Sequence, residues 1–391
     1  MRIYNVKINT MTDTVIENGW IEILNGKITT VQEGVPESTA PEDINGEGGL
    51  LIPGFIDAHC HLGIIENGID FEGDDSNEAT DPFMPQLRAI DGINPLDRCF
   101  SEAVERGITT AIIAPGSADP CGGSIEAVKT FGRRIDDMSV KTVGIKFALG
   151  ENPKHVFNDR DETPVTRMGT SAAIREGLFK AKKYLSQLDN YENDPDNCDE
   201  PEFDMKNHAL IPLLRKELPA HFHCHRADDI FTALRIAKEF DINIVLVHAT
   251  EGYIAADILG EEKAKVIAGP VICDRCKPEM KGLDIKNASE LTKNGVLTSI
   301  CTDHPVIPIQ YLPTSAAIAV KGGLSYQQAL EAITINAAKI VGIDDVTGSI
   351  ETGKDADLQL YKNGDPLGLL SEPELVMING KVVKNGVKSN A

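Results

Sequence analysis

Over about 290 residues in the middle of the chain, short Val- and Ile-rich runs alternate with longer segments of helical period, the pattern of a parallel sheet with crossover helices. Candidate strands lie at 51–58, 109–114, 143–149, 220–224, 244–247, 265–268 and 297–301, with a weaker one at 127–130. Candidate helices lie at 95–106, 170–188, 203–217, 227–240, 285–293 and 325–341. Eight such units suit a (β/α)₈ TIM-type barrel of the α/β class. A doubly wound sheet is the alternative. It lacks support here, because no strand is followed by G-x-G-x-x-G or G-x-x-x-x-G-K-[ST]. The two ends read differently. Strand-like runs at 3–8, 20–24 and 27–32 flank a turn at Asn25-Gly26, and runs at 357–361, 375–378 and 381–383 flank Asn379-Gly380. A chain of 391 residues has room for a second domain. The reading is therefore a small β-sandwich domain built from 1–52 and 345–391, around a barrel spanning 53–344.

Charge narrows the partners. A net charge of −22 disfavours nucleic acid and anionic membranes, which need clustered Lys and Arg. The eight cysteines make no dense disulfide framework, and Cys60, Cys224 and Cys301 sit in apolar runs as free thiols would. Cys273 and Cys276 form a lone C-x-x-C without the second pair a zinc site requires. The first residues alternate apolar and polar like a strand and lack a signal peptide's apolar run. No stretch approaches the length of a membrane span. The expected compartment is the cytoplasm. Two long connections, 63–94 (strongly acidic) and 150–169, would both lie over the C-terminal face of a barrel, where active sites are built. The acidic one hints at a cationic or amine-bearing substrate.

The chemistry concentrates at strand ends. In Pro53-Gly54-Phe55-Ile56-Asp57-Ala58-His59-Cys60-His61, two histidines at i and i+2 point to one side of a strand and can share one ion. His-x-His alone is weak, but it recurs in kind. His223 lies near the end of one apolar run, His248 ends another, and Asp303 follows a third. Imidazoles and carboxylates are donors suited to Zn²⁺ or a similar divalent ion. His221 and His225 flank His223 at the same spacing, and at most one or two of the three can reach an ion directly. Lys146 lies within an apolar run, where an unpaired ammonium is costly unless it snorkels outward.

These motifs resemble the amidohydrolase superfamily over nearly the whole chain. The resemblance rests on the first-strand His-x-His, Val247-His248, Cys301-Thr302-Asp303 and the tail Gly348-Ser349-Ile350-Glu351-Thr352-Gly353-Lys354-Asp355-Ala356-Asp357. Within the superfamily, imidazolonepropionase-like and metallo-dipeptidase-like enzymes look nearest. The resemblance implies a metal-dependent hydrolase of an amide or cyclic amide C–N bond, using a metal-activated water with Asp303 as general base. It implies His59, His61, His223, His248 and Asp303 as metal ligands, and Lys146 as a carboxylated lysine bridging two ions. Glu151, at the exit of that strand, is the alternative carboxylate. One or two ions are expected, with Zn²⁺ first and Mn²⁺, Fe²⁺ and Ni²⁺ also suited. His225, Arg226, Lys277 and His304 are candidate contacts to a small-molecule substrate, and Thr250 and Glu251 candidate supports for His248. Homo-oligomers are common among such proteins. A deaminase on the same scaffold is disfavoured, because Arg226 stands where the third residue after His223 would be Glu. A non-catalytic relative is disfavoured because every expected ligand is present.

Overall fold

The computed structural model describes residues 1–386. The final part of the 345–391 segment, 387–391, lies outside the described residues. In chain order the strands are β1 (Arg2–Asn9), β2 (Val15–Leu24), β3 (Lys27–Glu33), β4 (Ile44–Pro53), β5 (Phe55–Cys60), β6 (Ile108–Ile113), β7 (Cys121–Lys129), β8 (Ser139–Ala148), β9 (Ala220–Cys224), β10 (Ile244–His248), β11 (Lys265–Ala268), β12 (Leu297–Ile300), β13 (Leu358–Tyr361), β14 (Leu375–Ile378) and β15 (Lys381–Asn385). One sheet of seven runs β15-β14-β13-β4-β1-β2-β3 and joins both ends of the chain; a second of eight runs from β5 to β12 in order. The seven-stranded sheet encloses its own core, in which Ile3, Ile8, Ile21, Ile28, Leu51, Leu358 and Met377 meet. Both Asn-Gly turns adopt left-handed backbone at each residue (φ 51° and 81° at Asn25-Gly26, 49° and 72° at Asn379-Gly380), as tight two-residue hairpins require.

The eight-stranded sheet is a TIM-type barrel, nearly closed. Its seam between β12 and β5 is joined just beyond the strand ends, where Asp303 N–H donates to His59 O (3.2 Å) and His61 N–H donates to His304 O (2.8 Å). Asp57 reinforces it: Oδ1 accepts from Thr302 N–H (3.1 Å), and Oδ2 accepts from the Thr302 hydroxyl. Burial pushes the Asp57 carboxyl up to about 7, against the lowering effect of those Thr302 hydrogen bonds.

Four sequence expectations are corrected. First, β7 runs antiparallel to both β6 and β8, whereas the other barrel pairs are parallel. Parallel neighbours need a crossover of about a dozen residues or more. The connections 114–120 and 130–138 are too short for that, so the chain turns back as hairpins. Second, the run 51–58 is not one strand. It breaks at Gly54 between the two sheets, where a Cβ would lie 2.0 Å from Thr109 Oγ1. Third, segments 203–217 and 325–341 each divide into two helices, Met205–Ala209 and Ile211–Leu214, then Tyr326–Ala332 and Ile335–Val341. Pro212 lies in the first turn of the second helix, where its missing N–H costs nothing. Fourth, the 150–169 connection is not a bare loop, because a helix, Glu151–Asn158, starts directly after β8. The acidic 63–94 connection folds onto β7 through bridges from Phe83 to Cys121 and Arg88 to Ser124. Gly123 (φ 104°) permits this approach, since a Cβ there would stand 2.3 Å from Leu87 O.

A buried ion cluster ties the two sheets together. Lys129, near the end of β7, pairs with Asp357 and, at 3.0 Å, with Asp355, both from the segment entering β13. Asp357 also accepts from the Thr347 hydroxyl (2.8 Å) and from Asn379 N–H (2.9 Å). Burial opposes the charge on Lys129, but the two carboxylates more than offset it and raise its pKa. All eight cysteines are free. Cys60, Cys224 and Cys301 are buried, as their apolar runs imply. Among the described residues no helix is long and apolar enough to cross a membrane.

Candidate metal centre

Residues at the C-terminal ends of the barrel strands converge in two trios. In the first, His59 lies one residue before the end of β5 with His61 just beyond the strand, and Asp303 follows β12. Asp303 Oδ1 lies 3.6 Å from His59 Nε2 and 3.4 Å from His61 Nε2. In the second, His223 and His225 come from β9 and its extension and His248 from the end of β10, with ring centroids 4.6–4.8 Å apart. Within each trio the candidate donor atoms all lie within 4.8 Å of one another. His59 joins the two, its ring centroid 5.5 Å from that of His248.

The surrounding backbone sets which nitrogen faces inward. His61 Nδ1–H donates to Ala114 O (2.7 Å), and His248 Nδ1–H donates to Gly269 O (2.8 Å). Each bond leaves Nε2 with its lone pair free. His225 Nδ1 is hydrogen-bonded to Thr250 Oγ1 at 2.6 Å. His59 Nδ1 and His223 Nδ1 are buried with no partner. His248 (φ 72°) and Asp303 (φ 56°) both hold left-handed backbone, costly for non-glycine residues and typical of functional sites.

Burial is the main reason that His59, His223 and His225 titrate well below the ordinary histidine value. It also takes His248 down to about 4, against the pull of Asp303. These rings are therefore neutral at pH 7, the form that binds metals. Burial alone would raise the Asp303 carboxyl, but the neighbouring His248, His61 and Lys146 side chains hold it below the usual carboxylate range. Lys146 projects from β8 and is fully buried, with Nζ 3.2 Å from His59 Nε2. Burial lowers its ammonium to about 8. Neutral imidazoles, a carboxylate and unpartnered buried ring nitrogens make a donor set that fits a divalent cation.

The structure thus brings His59, His61, Lys146, His223, His248 and Asp303 together, and adds His225. Glu151 faces elsewhere: its Oε2 accepts from Glu279 N–H (3.1 Å), and its own N–H donates to Glu279 Oε2 (2.8 Å). His221 lies beside Lys146 in the β8–β9 register, and both its ring nitrogens lack partners. Arg226 is paired with Asp228 (2.9 Å) and lines a 340 Å³ cleft together with Glu151, His155, Arg167 and Glu279. Lys277 Nζ reaches Glu279 Oε1 (2.9 Å) and Asn152 Oδ1 (3.1 Å). His304 is buried and its Nδ1 accepts from Ile309 N–H (3.2 Å).

The expected support of His248 by Thr250 and Glu251 is corrected. The chain turns after β10, so Thr250 meets His225 and Glu251 accepts from Ala227 N–H (3.0 Å). Sequence reasoning missed Asp57 at the seam and Asn152. The Asn152 Nδ2 donates to Ser117 Oγ (2.7 Å) and lies 3.5 Å from His223 Nε2. A carboxylate inside the apolar run 55–60 was the available signal for Asp57; none marked Asn152. On the acidic side, the 63–94 connection forms a 590 Å³ cleft lined by Asp74, Asp75, Glu78 and Asp91. A larger one of 650 Å³, lined by Lys141, Lys216 and Lys265, lies at the opposite end of the barrel and shares no residue with either trio.

Residues 50–383 match the amidohydrolase family, and the chain belongs to that family of hydrolases acting on carbon–nitrogen bonds. Its histidine and aspartate clusters imply a divalent metal. It is 39% identical to a crystallised amidohydrolase from Thermotoga maritima, with a TM-score of 0.94 over 98% of this chain and 99% of that one. It is 30% identical to the amidohydrolase tasK of Hapsidospora irregularis over 93% of its own length, but spans only 39% of that protein. It is 25% identical to the imidazolonepropionase of Thermoplasma acidophilum, covering 88% of this chain and 82% of the other.

Proposed function

We propose that the chain hydrolyses an amide or cyclic amide bond of a small molecule at a divalent-metal centre held by His59, His61, Lys146, His223, His248 and Asp303. The observation that carries this reading is the convergence of His59, His61 and Asp303 donor atoms within 4.8 Å at the catalytic end of the barrel. Zn²⁺ suits neutral imidazoles with a carboxylate. A bound divalent ion supplies Lewis-acid activation of water and of the scissile carbonyl. Asp303, kept ionised, takes the proton from the attacking water and passes it to the leaving nitrogen. Lys146, brought close to neutrality by burial, forms a carbamate: its nitrogen bonds to the carbon of CO₂ and its proton leaves to solvent. It is favoured over Glu151 because it touches His59, whereas Glu151 is engaged by the Glu279 backbone. The cleft lined by Asp74, Asp75, Glu78 and Asp91 and the cleft lined by Arg226 and Arg167 are the places assigned to the substrate's two ends. Free thiols and the absence of disulfides favour a cytoplasmic setting.

A screen of dipeptides, N-acyl amino acids, small lactams and imidazolones with the Zn²⁺-loaded protein tests this. Hydrolysis of at least one class is expected, abolished by chelation and restored by Zn²⁺. Turnover indifferent to chelation would contradict the reading, and release of ammonia alone would redirect it to deamination.

A further inference from the structure

We infer that Asp57 is a positioning residue: through Thr302 it holds Asp303 in the backbone conformation that aims its carboxylate at His59 and His61. The inference rests on the metal-dependent reading above, which makes no use of Asp57. Asp303 follows β12 and His59 belongs to β5, and these two strands flank the seam of the barrel. Every other neighbouring pair in the eight-stranded sheet is joined by backbone hydrogen bonds along the strands. At the seam two backbone bonds cross, Asp303 N–H to His59 O and His61 N–H to His304 O. Asp303 itself is left-handed (φ 56°), a conformation that a residue with a Cβ keeps only when its surroundings impose it. Two backbone bonds and a strained residue leave the aim of the carboxylate to be set by side chains.

Asp57 supplies what the backbone lacks there. It is fully buried, two residues before His59 on the same strand. Its Oδ1 accepts from Thr302 N–H (3.1 Å) and from His59 N–H (3.4 Å), and its Oδ2 accepts from the Thr302 hydroxyl. One carboxyl group thus grips the strand that carries His59 and both polar groups of the residue before Asp303. Thr302 Oγ1 in turn accepts from His304 N–H (3.1 Å). The residues on either side of Asp303 are therefore fixed to Asp57, one directly and one through a hydroxyl. The nearby charge that acts on Asp57 is that of Asp303, of like sign. Burying a carboxyl beside a like charge disfavours folding, and a well-packed apolar pair would close the seam without that penalty. What the carboxyl adds is direction, with three donors from two strands converging on one group.

A group that only closes the barrel would affect stability alone; one that places Asp303 also affects the bound metal. Full-length protein stripped of metal is titrated with Co²⁺, whose affinity and visible absorption report the donor set. The rate constants kcat and KM are measured on a substrate from the screen. Thr302→Val removes the hydroxyl, and Asp57→Asn offers one oxygen where the three donors use two. Each is expected to weaken Co²⁺ binding about tenfold, to change its visible absorption, and to lower kcat about 10²-fold at unchanged KM. Thr302→Ser, which keeps the hydroxyl, is expected to match wild type. The two harmful changes together are expected to lower kcat no further than either alone, since both break the same link. Wild-type affinity and absorption in folded Thr302→Val or Asp57→Asn would overturn the inference, as would Thr302→Ser behaving like Thr302→Val. Should Asp57→Asn fail to fold, the two Thr302 variants decide. Should no screened substrate turn over, the Co²⁺ readings decide alone. Wild type binding no Co²⁺ would defeat the metal-dependent reading, and this inference with it.

Discussion

Asp303→Asn is expected to reduce kcat by about 10³- to 10⁴-fold while the protein stays folded. The substitution keeps the shape of the side chain and removes its charge and its capacity to carry a proton. The surrounding His248, His61 and Lys146 side chains favour the ionised Asp303 carboxylate against the cost of burial. Its Oδ1 is the atom both His59 and His61 approach. An amide there presents either a neutral oxygen or an NH₂ that collides with the inward nitrogens. Far-ultraviolet circular dichroism and the unfolding midpoint check the fold, and bound metal is counted beside the rate. A variant that retains metal and turns over within tenfold of wild type would remove Asp303 from the proton-transfer role.

Lys129→Met is expected to destabilise the fold by about 3–5 kcal/mol, the effect of removing one partner from a buried ion pair. Lys129 is 4% exposed and Asp357 not at all, and the pair lies where β7 meets the terminal sheet. Without the ammonium, Asp357 would keep its hydrogen bonds from Thr347 and Asn379 but lose its counter-charge. Asp355 would fall back on Lys27, which is half exposed and a weaker partner. Urea denaturation measures the loss. Lys129→Met combined with Asp357→Asn is expected to recover part of it, because the second change removes the stranded charge. A single variant within 1 kcal/mol of wild type would show that the cluster does not hold the sheets together.

Much of this architecture was legible because it is local. The apolar runs ending in His61, His248 and Asp303 announce strands and their exits, and the two Asn-Gly pairs announce hairpins whose backbone demands those residues. The direction of β7 was not legible from its own residues. Cys121-Gly122-Gly123-Ser124 is poor strand sequence, and direction is set by the length of the connections on either side. The break at Gly54 was hidden because both halves of 51–58 are apolar; only the crowding by Thr109 shows why glycine stands there. The spacing of His221, His223 and His225 shows that they share a face, but not how far each sits along the barrel axis. Thr250 stands next to His248 in the sequence yet bonds His225, because the turn after β10 is a tertiary feature. Glu279, like Lys277, stands after the seventh barrel strand in the sequence, but its place 3.6 Å from His223 Nε2 is set by the path of the loop that carries it, a tertiary feature.

The most direct test of the metal centre is anomalous diffraction at the zinc edge from crystals grown with Zn²⁺. The account predicts a peak at about 2.0–2.2 Å from His59 Nε2, His61 Nε2 and an Asp303 carboxylate oxygen. Zinc bound only elsewhere, as at Cys273 and Cys276, with that position empty at saturating Zn²⁺, would contradict it.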